Sequence, residues 1–353
     1  MAANNADDRG HLVIEEIPER LDEQHTITTQ TLGFLIHPLI PIPLSPNNEL
    51  PSSSTLTFTP SNPLKIADIG TGTGAWLLDV AAHLPPSLPA VLTGYDLVPP
   101  STTTGHTAAA LTALRQTHPN LTIQFLPHDM HHPFPTLELA TYDLVAARFV
   151  SSAMTRGQWK DVLGNVKTLV KPATGWVQWI ESCNFRVYDS VPSVAGTAKV
   201  GKGVFGEVWE GLEPFREVGG KNKGQTRGTG TGENGKGGEG EDEDELVIGL
   251  MVREARDVKR EELWRSAGLV DVREEVFSTD RIQDPTLQIR EKGTRNVMEC
   301  YLGCLETLVG VEGSGWTKER LERVRGEVDA AIDKGVYHAL DQVCMIGRRP
   351  EEE

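Results

Sequence analysis

This sequence predicts an α/β fold, a mostly parallel sheet with helices on both faces, on three observations. Short apolar runs alternate with helical segments from residue 64 to residue 180. The first run, Leu64-Lys65-Ile66-Ala67-Asp68-Ile69, enters the turn Gly70-Thr71-Gly72-Thr73-Gly74 and then the helical segment AWLLDVAAHL. A second run, Leu92-Thr93-Gly94-Tyr95-Asp96, ends in an acid.

Taken in order, residues 1–16 are expected to be disordered, and 17–63 to hold a helix at 20–36 and an irregular Pro/Ser/Asn-rich connection. The apolar face of that helix comprises Leu21, Ile27, Leu32, Phe34 and Leu35. Strands are expected at 65–69, 91–95, 121–125, 142–147 and 175–180, and helices at 75–84, 106–117 and 159–170. The segment 218–245 is dominated by glycine and charge and cannot bury enough apolar surface to offset chain entropy. It reads as a disordered loop inserted within one domain, 64–350, because the pattern resumes after it. A helix at 246–267, a strand at 269–277, helices at 287–308 and 317–332 and a last strand at 339–347 complete the chain. The GTGTG inside the insert has no strand before it and no helix after it, so it is not a second ligand turn.

Composition narrows the function. A formal net charge of −16 over 353 residues argues against a nucleic-acid partner held by phosphate neutralisation. No run approaches the ~20 apolar residues of a membrane span. The acidic N-terminus lacks the positive and apolar regions of a signal peptide, so a cytoplasmic protein is expected. Cys183, Cys300, Cys304 and Cys344 form no CxxC pair and read as free thiols. His128, His131 and His132 flank Asp129, but neighbours on one loop seldom converge on an ion; no metal is expected.

The glycine turn allows φ > 0 and lets a ligand approach the backbone, and the helix after it presents unpaired N–H groups. Asp96 stands where a carboxylate can accept from both ribose hydroxyls of an adenosine ligand. GTGTGA also satisfies the dinucleotide pattern G-x-G-x-x-G/A. Two details favour S-adenosylmethionine (SAM). Asp68, two residues before Gly70, suits the positively charged amino-acid end of SAM and would oppose a pyrophosphate. A third strand leads into Pro127-His128-Asp129-Met130, where Asp129 can accept from the adenine amine and Met130 can pack on the ring.

The series IADIGTGTG, LTGYDL, FLPHDMHHPFP, YDLVAARFV and GWVQWIE resembles the ordered motifs of class I SAM-dependent methyltransferases over residues 64–182. LWRSAGLVDVREEVF and ALDQVCMIGRRP resemble that family's sixth strand and antiparallel seventh. ERLDEQHTITTQTLGFLIHP is similar to fungal methyltransferases of secondary metabolism. The resemblance implies a Rossmann-like seven-stranded sheet, mostly parallel with an antiparallel last strand, an N-terminal helical lid and a helical cap. It implies SAM as cofactor, with Asp68, Gly70, Thr71, Gly72 and Gly74 at the methionine end. Asp96 and Leu97 would serve ribose and adenine, Asp129 and Met130 the adenine, and Arg148 the site rim. In similar proteins the first helix covers the cofactor, which turns Gln24 and His25 toward it.

Methyl transfer needs alignment and, for a hydroxyl, a base. His25, Glu181 at the end of the fifth strand and Arg148 are the catalytic candidates. No NPPY-like run follows the fourth strand, which disfavours amino methylation of adenine or glutamine. The segment 185–215 and the helix at 287–308 are expected to cap an apolar pocket. The expected activity is methylation of a small molecule, a secondary metabolite, at oxygen. Two alternatives stand beside it: a SAM-binding cyclase built on the same fold, and a non-catalytic regulator of secondary metabolism. Oligomeric state leaves no mark on the sequence.

Overall fold

The computed structural model describes residues 18–44, 57–154, 158–188, 203–212, 260–281 and 288–351. The expected disordered segments 1–16 and 218–245 lie outside them. So does most of the expected 246–267 helix, of which Arg260–Ser266 is described.

One sheet organises the fold. Its strands are β1 (Leu64–Ile69), β2 (Ala90–Asp96), β3 (Leu121–Pro127), β4 (Leu144–Arg148), β5 (Trp176–Tyr188), β6 (Val270–Ser278) and β7 (Tyr337–Arg348). Their spatial order is β3-β2-β1-β4-β5-β7-β6, with β7 antiparallel to both neighbours and the β1–β5 pairs parallel. This is the seven-stranded, mostly parallel sheet expected from the sequence. The order reverses beside β1, so the carboxyl ends of β1 and β4 flank the crevice where such sheets bind ligands.

The helices are α1 (Pro18–Leu32), α2 (Ala75–His83), α3 (Gly105–Thr117), α4 (Gln158–Leu169), α5 (Gly203–Gly211), α6 (Arg260–Ser266), α7 (Gln288–Glu306) and α8 (Lys318–Asp333). Helices cover both faces, which is why β1 and β4 are buried nearly throughout rather than at alternate residues. One face buries Val145, Ala147, Trp179, Val343 and Met345 against α4 residues Val162, Leu163 and Val166. The other buries Ile66, Leu92, Ala146 and Ile180 with Trp76 and Leu77 of α2 and Leu32 of α1. A third apolar cluster joins Phe205 and Val208 of α5, Met298, Leu302 and Leu305 of α7, and Leu321, Val324 and Val328 of α8. Helices thus gather beyond the sheet, where the cap was expected.

Two boundaries differ from expectation. The first helix stops at Leu32, not residue 36, because Gly33 takes φ +82 and donates its N–H to Thr29 O, a left-handed helix end. β5 runs to Tyr188 rather than ending at 180, so residues 185–188 are strand, not cap. The longer β7 supplies the reason: Arg186 pairs with Ala339 and Tyr188 with Tyr337 beyond a bulge at Cys183/Phe185, which satisfies both backbones. No helix among the described residues is long and apolar enough to cross a membrane.

Candidate functional site

The crevice is built first by the turn after β1. Gly70, Gly72 and Gly74 have φ of +66, +55 and +79. A Cβ on Gly70 would come within 2.5 Å of Val150 Cγ1, and one on Gly74 within 2.6 Å of Phe125 Cζ. Close approach and backbone angle therefore both demand glycine here. The register Asp68↔Gly94 and Asp68↔Ala146 sets Asp68 on the middle strand, between the ends of β2 and β4.

Asp68 is buried, at 1% exposure. Its Oδ2 accepts from Thr71 Oγ1 at 2.8 Å, while Oδ1 has no partner among the described residues. Burial raises its pKa to about 6, against the opposing charge of Arg148 and the Thr71 hydroxyl. A buried acceptor left bare beside an open turn is the feature a cationic ligand group would satisfy. Asp96 closes the other side: its Oδ2 accepts from Gly72 N at 2.8 Å and its Oδ1 from Val98 N at 3.1 Å. Leu97 beside it is 55% exposed.

Beyond β3 the arrangement departs from expectation. Asp129 Oδ1 accepts from His131 N at 3.1 Å and faces His131 Nδ1 at 2.8 Å; Oδ2 faces His132 Nδ1 at 3.1 Å. The carboxylate thus holds its own loop. Met130 is buried in the core cluster that also holds Tyr95 and Phe134. Its apolar side chain gains more from that core than from a polar loop surface.

The first helix reaches the turn through side chains. Leu21 Cδ1 lies 3.1 Å from where a Gly72 Cβ would sit, Asp22 Oδ1 accepts from Thr73 Oγ1 at 2.7 Å, and Asp22 Oδ2 meets His106 Nε2 at 3.1 Å. Gln24 is half-buried on the same helix. His25, buried, lies between Asp79 Oδ2 at 2.9 Å and Arg148 Nη1 at 3.1 Å. A guanidinium can only donate, so His25 Nδ1 accepts and its Nε2–H donates to Asp79. His25 therefore has no lone pair left for a substrate proton, which corrects its assignment as a base. Burial opposes ionisation of Asp79, but its contacts with His25 and His83 hold its carboxyl below the usual range. Arg148 rests over the Trp76 ring at 5.6 Å, and its Nε is buried without a partner among the described residues. Burial lowers its pKa, opposed by Asp68 and Asp79.

Glu181 lies on the other face of the sheet. Its Oε1 accepts from Val150 N at 3.0 Å, Ser151 N at 3.1 Å and Trp179 Nε1 at 2.9 Å; Oε2 has no partner among the described residues. Those bonds hold the loop after β4, where Phe149 adopts φ +55, a costly angle for a side chain of its size. Burial pushes Glu181 up to about 7 despite the Trp179 and Ser151 contacts. A cavity of about 420 Å³ lined by Leu39, Trp176, Glu261 and Arg273 lies at the opposite end of β5 and is separate from these groups.

Sequence reasoning missed Asp22, Trp76, Asp79 and Val150. Asp22 is one of many polar residues on its helix and nothing in the sequence singles it out, whereas Asp79 carried a signal, an acid inside the apolar AWLLDVAAHL.

A parallel sheet that reverses at β1, a three-glycine turn below a buried acid, and a second acid at the end of β2 define a class I methyltransferase-type domain. Residues 67–177, just under a third of the chain, match the methyltransferase domain family. It is similar to methyltransferase grgD of a Penicillium species, 35% identical over 127 residues, covering 35% of this chain and 40% of that protein. It is also similar to the N-methyltransferase verN of Clonostachys rogersoniana, 27% identical over 165 residues, covering 47% of each. Each match thus spans less than half of the relative. Among solved structures, phosphoethanolamine N-methyltransferase 2 of Haemonchus contortus is similar at 12% identity and a TM-score of 0.39, over 84% of this chain and 50% of that one.

Proposed function

We propose that this chain transfers a methyl group from SAM to a small organic molecule. The observation that carries the reading is the bare Oδ1 of buried Asp68 at the mouth of the glycine turn. The residues present fit SAM: a cationic amino-acid end satisfies that oxygen, whereas a pyrophosphate would meet a carboxylate in a low-dielectric pocket. Asp96 keeps lone pairs for the ribose hydroxyls while it secures Gly72. Leu97 offers its exposed side chain to the adenine. Asp129 can turn to the adenine amine only by giving up part of its hold on His131 and His132. α1, with Gln24 along its length, acts as the lid.

SAM, when bound, supplies an electrophilic methyl group on a sulfonium. The chain aligns the acceptor and removes its proton. Glu181 is the candidate proton acceptor, because Oε1 is saturated by three fixed donors and Oε2 is bare. Its pKa of about 7 suits general-base work near neutral pH. Helices α5, α7 and α8 pack around an apolar cluster of their own beyond the sheet, where a cap over a small substrate would stand. Transfer to the hydroxyl oxygen of a secondary metabolite is the favoured finer reading. Transfer to nitrogen is the second, and the similarity to an N-methyltransferase favours it.

Titration calorimetry with SAM, S-adenosylhomocysteine (SAH) and NADPH tests the cofactor, with micromolar binding of the first two alone expected. Binding of NADPH in their place would overturn it. Release of SAH with a substrate would separate transfer from a cyclase or a regulator.

A further inference from the structure

Two glutamines are buried on the face of the sheet that α1 covers, and their contacts differ. Gln178 of β5 uses both ends of its carboxamide: Oε1 accepts from His37 N at 2.7 Å and Nε2 donates to Leu35 O at 3.0 Å. It ties the chain after α1 to the sheet. Gln342 of β7, 3% exposed, uses one end: Nε2 donates to Thr28 Oγ1 of α1 at 3.2 Å, while Oε1 has no partner among the described residues. Thr28, also buried, accepts that bond and keeps its own O–H to donate. Thr26 and Thr31 instead return theirs to the helix, at Asp22 O and Ile27 O.

The register sets this pair at the crevice end of the sheet. Arg148 pairs with Ile180 and Ile180 with Cys344, and Gln342 stands two residues from Cys344, opposite Ser182 toward the far end of β5. Residues two apart share a face, so Gln342 lies on the side of Arg148, with about 12 Å between their backbones across two strand spacings and one pleat repeat. α1 bridges the two, with His25 on Arg148 and Thr28, about one turn further, on Gln342. Of the buried residues of α1, His25, Thr28 and Thr31 are polar and only Leu32 is apolar, so the lid turns a polar underside to the sheet.

Gln178 shows that this face satisfies a glutamine at both ends where only structure is at stake, so the half-used Gln342 calls for a partner. One bare acceptor beside one available donor complements a group that carries one of each. Burial opposes a charged group there, which leaves a neutral one. Resting on the proposed methyl transfer, we propose that Gln342 and Thr28 form a recognition site for a neutral amide of the acceptor molecule. The amide N–H donates to Gln342 Oε1, and its carbonyl accepts from the Thr28 hydroxyl. The pair determines specificity: it fixes the acceptor beneath α1 and takes no part in the transfer itself.

The test is a ligand-observed NMR titration of the full chain saturated with SAH, with benzamide, acetophenone and benzoate as probes of one size. Benzamide carries a donor and an acceptor, acetophenone the acceptor alone, and benzoate a charge. Wild-type protein is expected to bind benzamide about 10-fold more tightly than either of the others. Gln342→Leu, which fills the same space without an acceptor, should erase the preference over acetophenone, and Thr28→Val should weaken benzamide and acetophenone alike. Equal affinities in the wild type, or no binding of benzamide, overturn the site without any variant and leave Oε1 to a buried water, so a misfolded Gln342→Leu keeps the question decidable. A preference that survives in folded Gln342→Leu also overturns it. Failure of the wild type to bind SAH overturns the methyl-transfer reading and with it the acceptor role of the pair, whereas loss of the benzamide preference in SAH-binding protein overturns the recognition site alone.

Discussion

Asp68 at the end of β1 and Glu181 in β5, two buried carboxylates on opposite faces of the sheet, share a design and differ in what surrounds it. Each has one oxygen bound and one bare, and burial raises both, to about 6 and about 7. Asp68 faces an arginine and sits beside a turn cleared of side chains, so its bare oxygen suits a fixed cationic group. Glu181 takes three donors from Trp179 and the loop after β4. The charged form of Glu181 is stabilised by hydrogen bonds alone, which leaves it closer to neutral pH. The difference teaches that one motif, a half-satisfied buried acid, can bind or exchange a proton according to its neighbours.

The largest expected effect separates the two on rate. Glu181→Gln should lower kcat by about 100-fold or more with SAM affinity unchanged, measured by SAH release. A variant that weakens SAM binding instead would break the comparison. Asp68→Asn should do the reverse, weakening SAM by about 2–4 kcal/mol through the loss of a charge-assisted bond. Asp96→Ala should cost a similar amount, about 2–4 kcal/mol, and unchanged affinity there would sink the ribose assignment.

Stability against pH sharpens the comparison next. Each folded-state pKa lies above its unfolded value, so the folded chain holds extra protons between about pH 4 and 7 and loses stability as pH rises through that window. Glu181→Gln cannot ionise and should flatten that slope by about 1–3 kcal/mol between pH 5 and 8 in denaturant titrations. An identical slope in wild type and variant would remove the raised pKa from the argument. The smallest effect concerns Leu97, whose replacement by Ala should weaken SAM by about threefold, since an exposed side chain buries little on binding.

The sheet and the cofactor turn were legible because their signals are local. Strand, glycine turn and helix follow one another within Leu64–Leu84, and the acid at the end of the next strand is placed by parallel pairing. Asp68 and Asp96 stand out in the sequence for that reason. The burial of Met130 in a core cluster with Tyr95 and Phe134 could not be read from its polar neighbours in sequence. The length of β5 was misread because the strand that completes it, β7, lies more than 140 residues away in the chain.

His25 shows where sequence stops. A histidine on a helix near a cofactor site suggests a base, yet its partner Arg148 is 123 residues distant and consumes the lone pair a base would need. By itself the sequence determined the order of elements, the glycine turn and the two acids beside it, since backbone angles, apolar periodicity and short spacings are properties of neighbours. Only the tertiary structure decided which oxygen of each acid is bare, that the charge of Arg148 acts on Asp68, and that His25 bridges Asp79 and Arg148. Hydrogen bonding and desolvation act across space, and both depend on what the fold brings into contact.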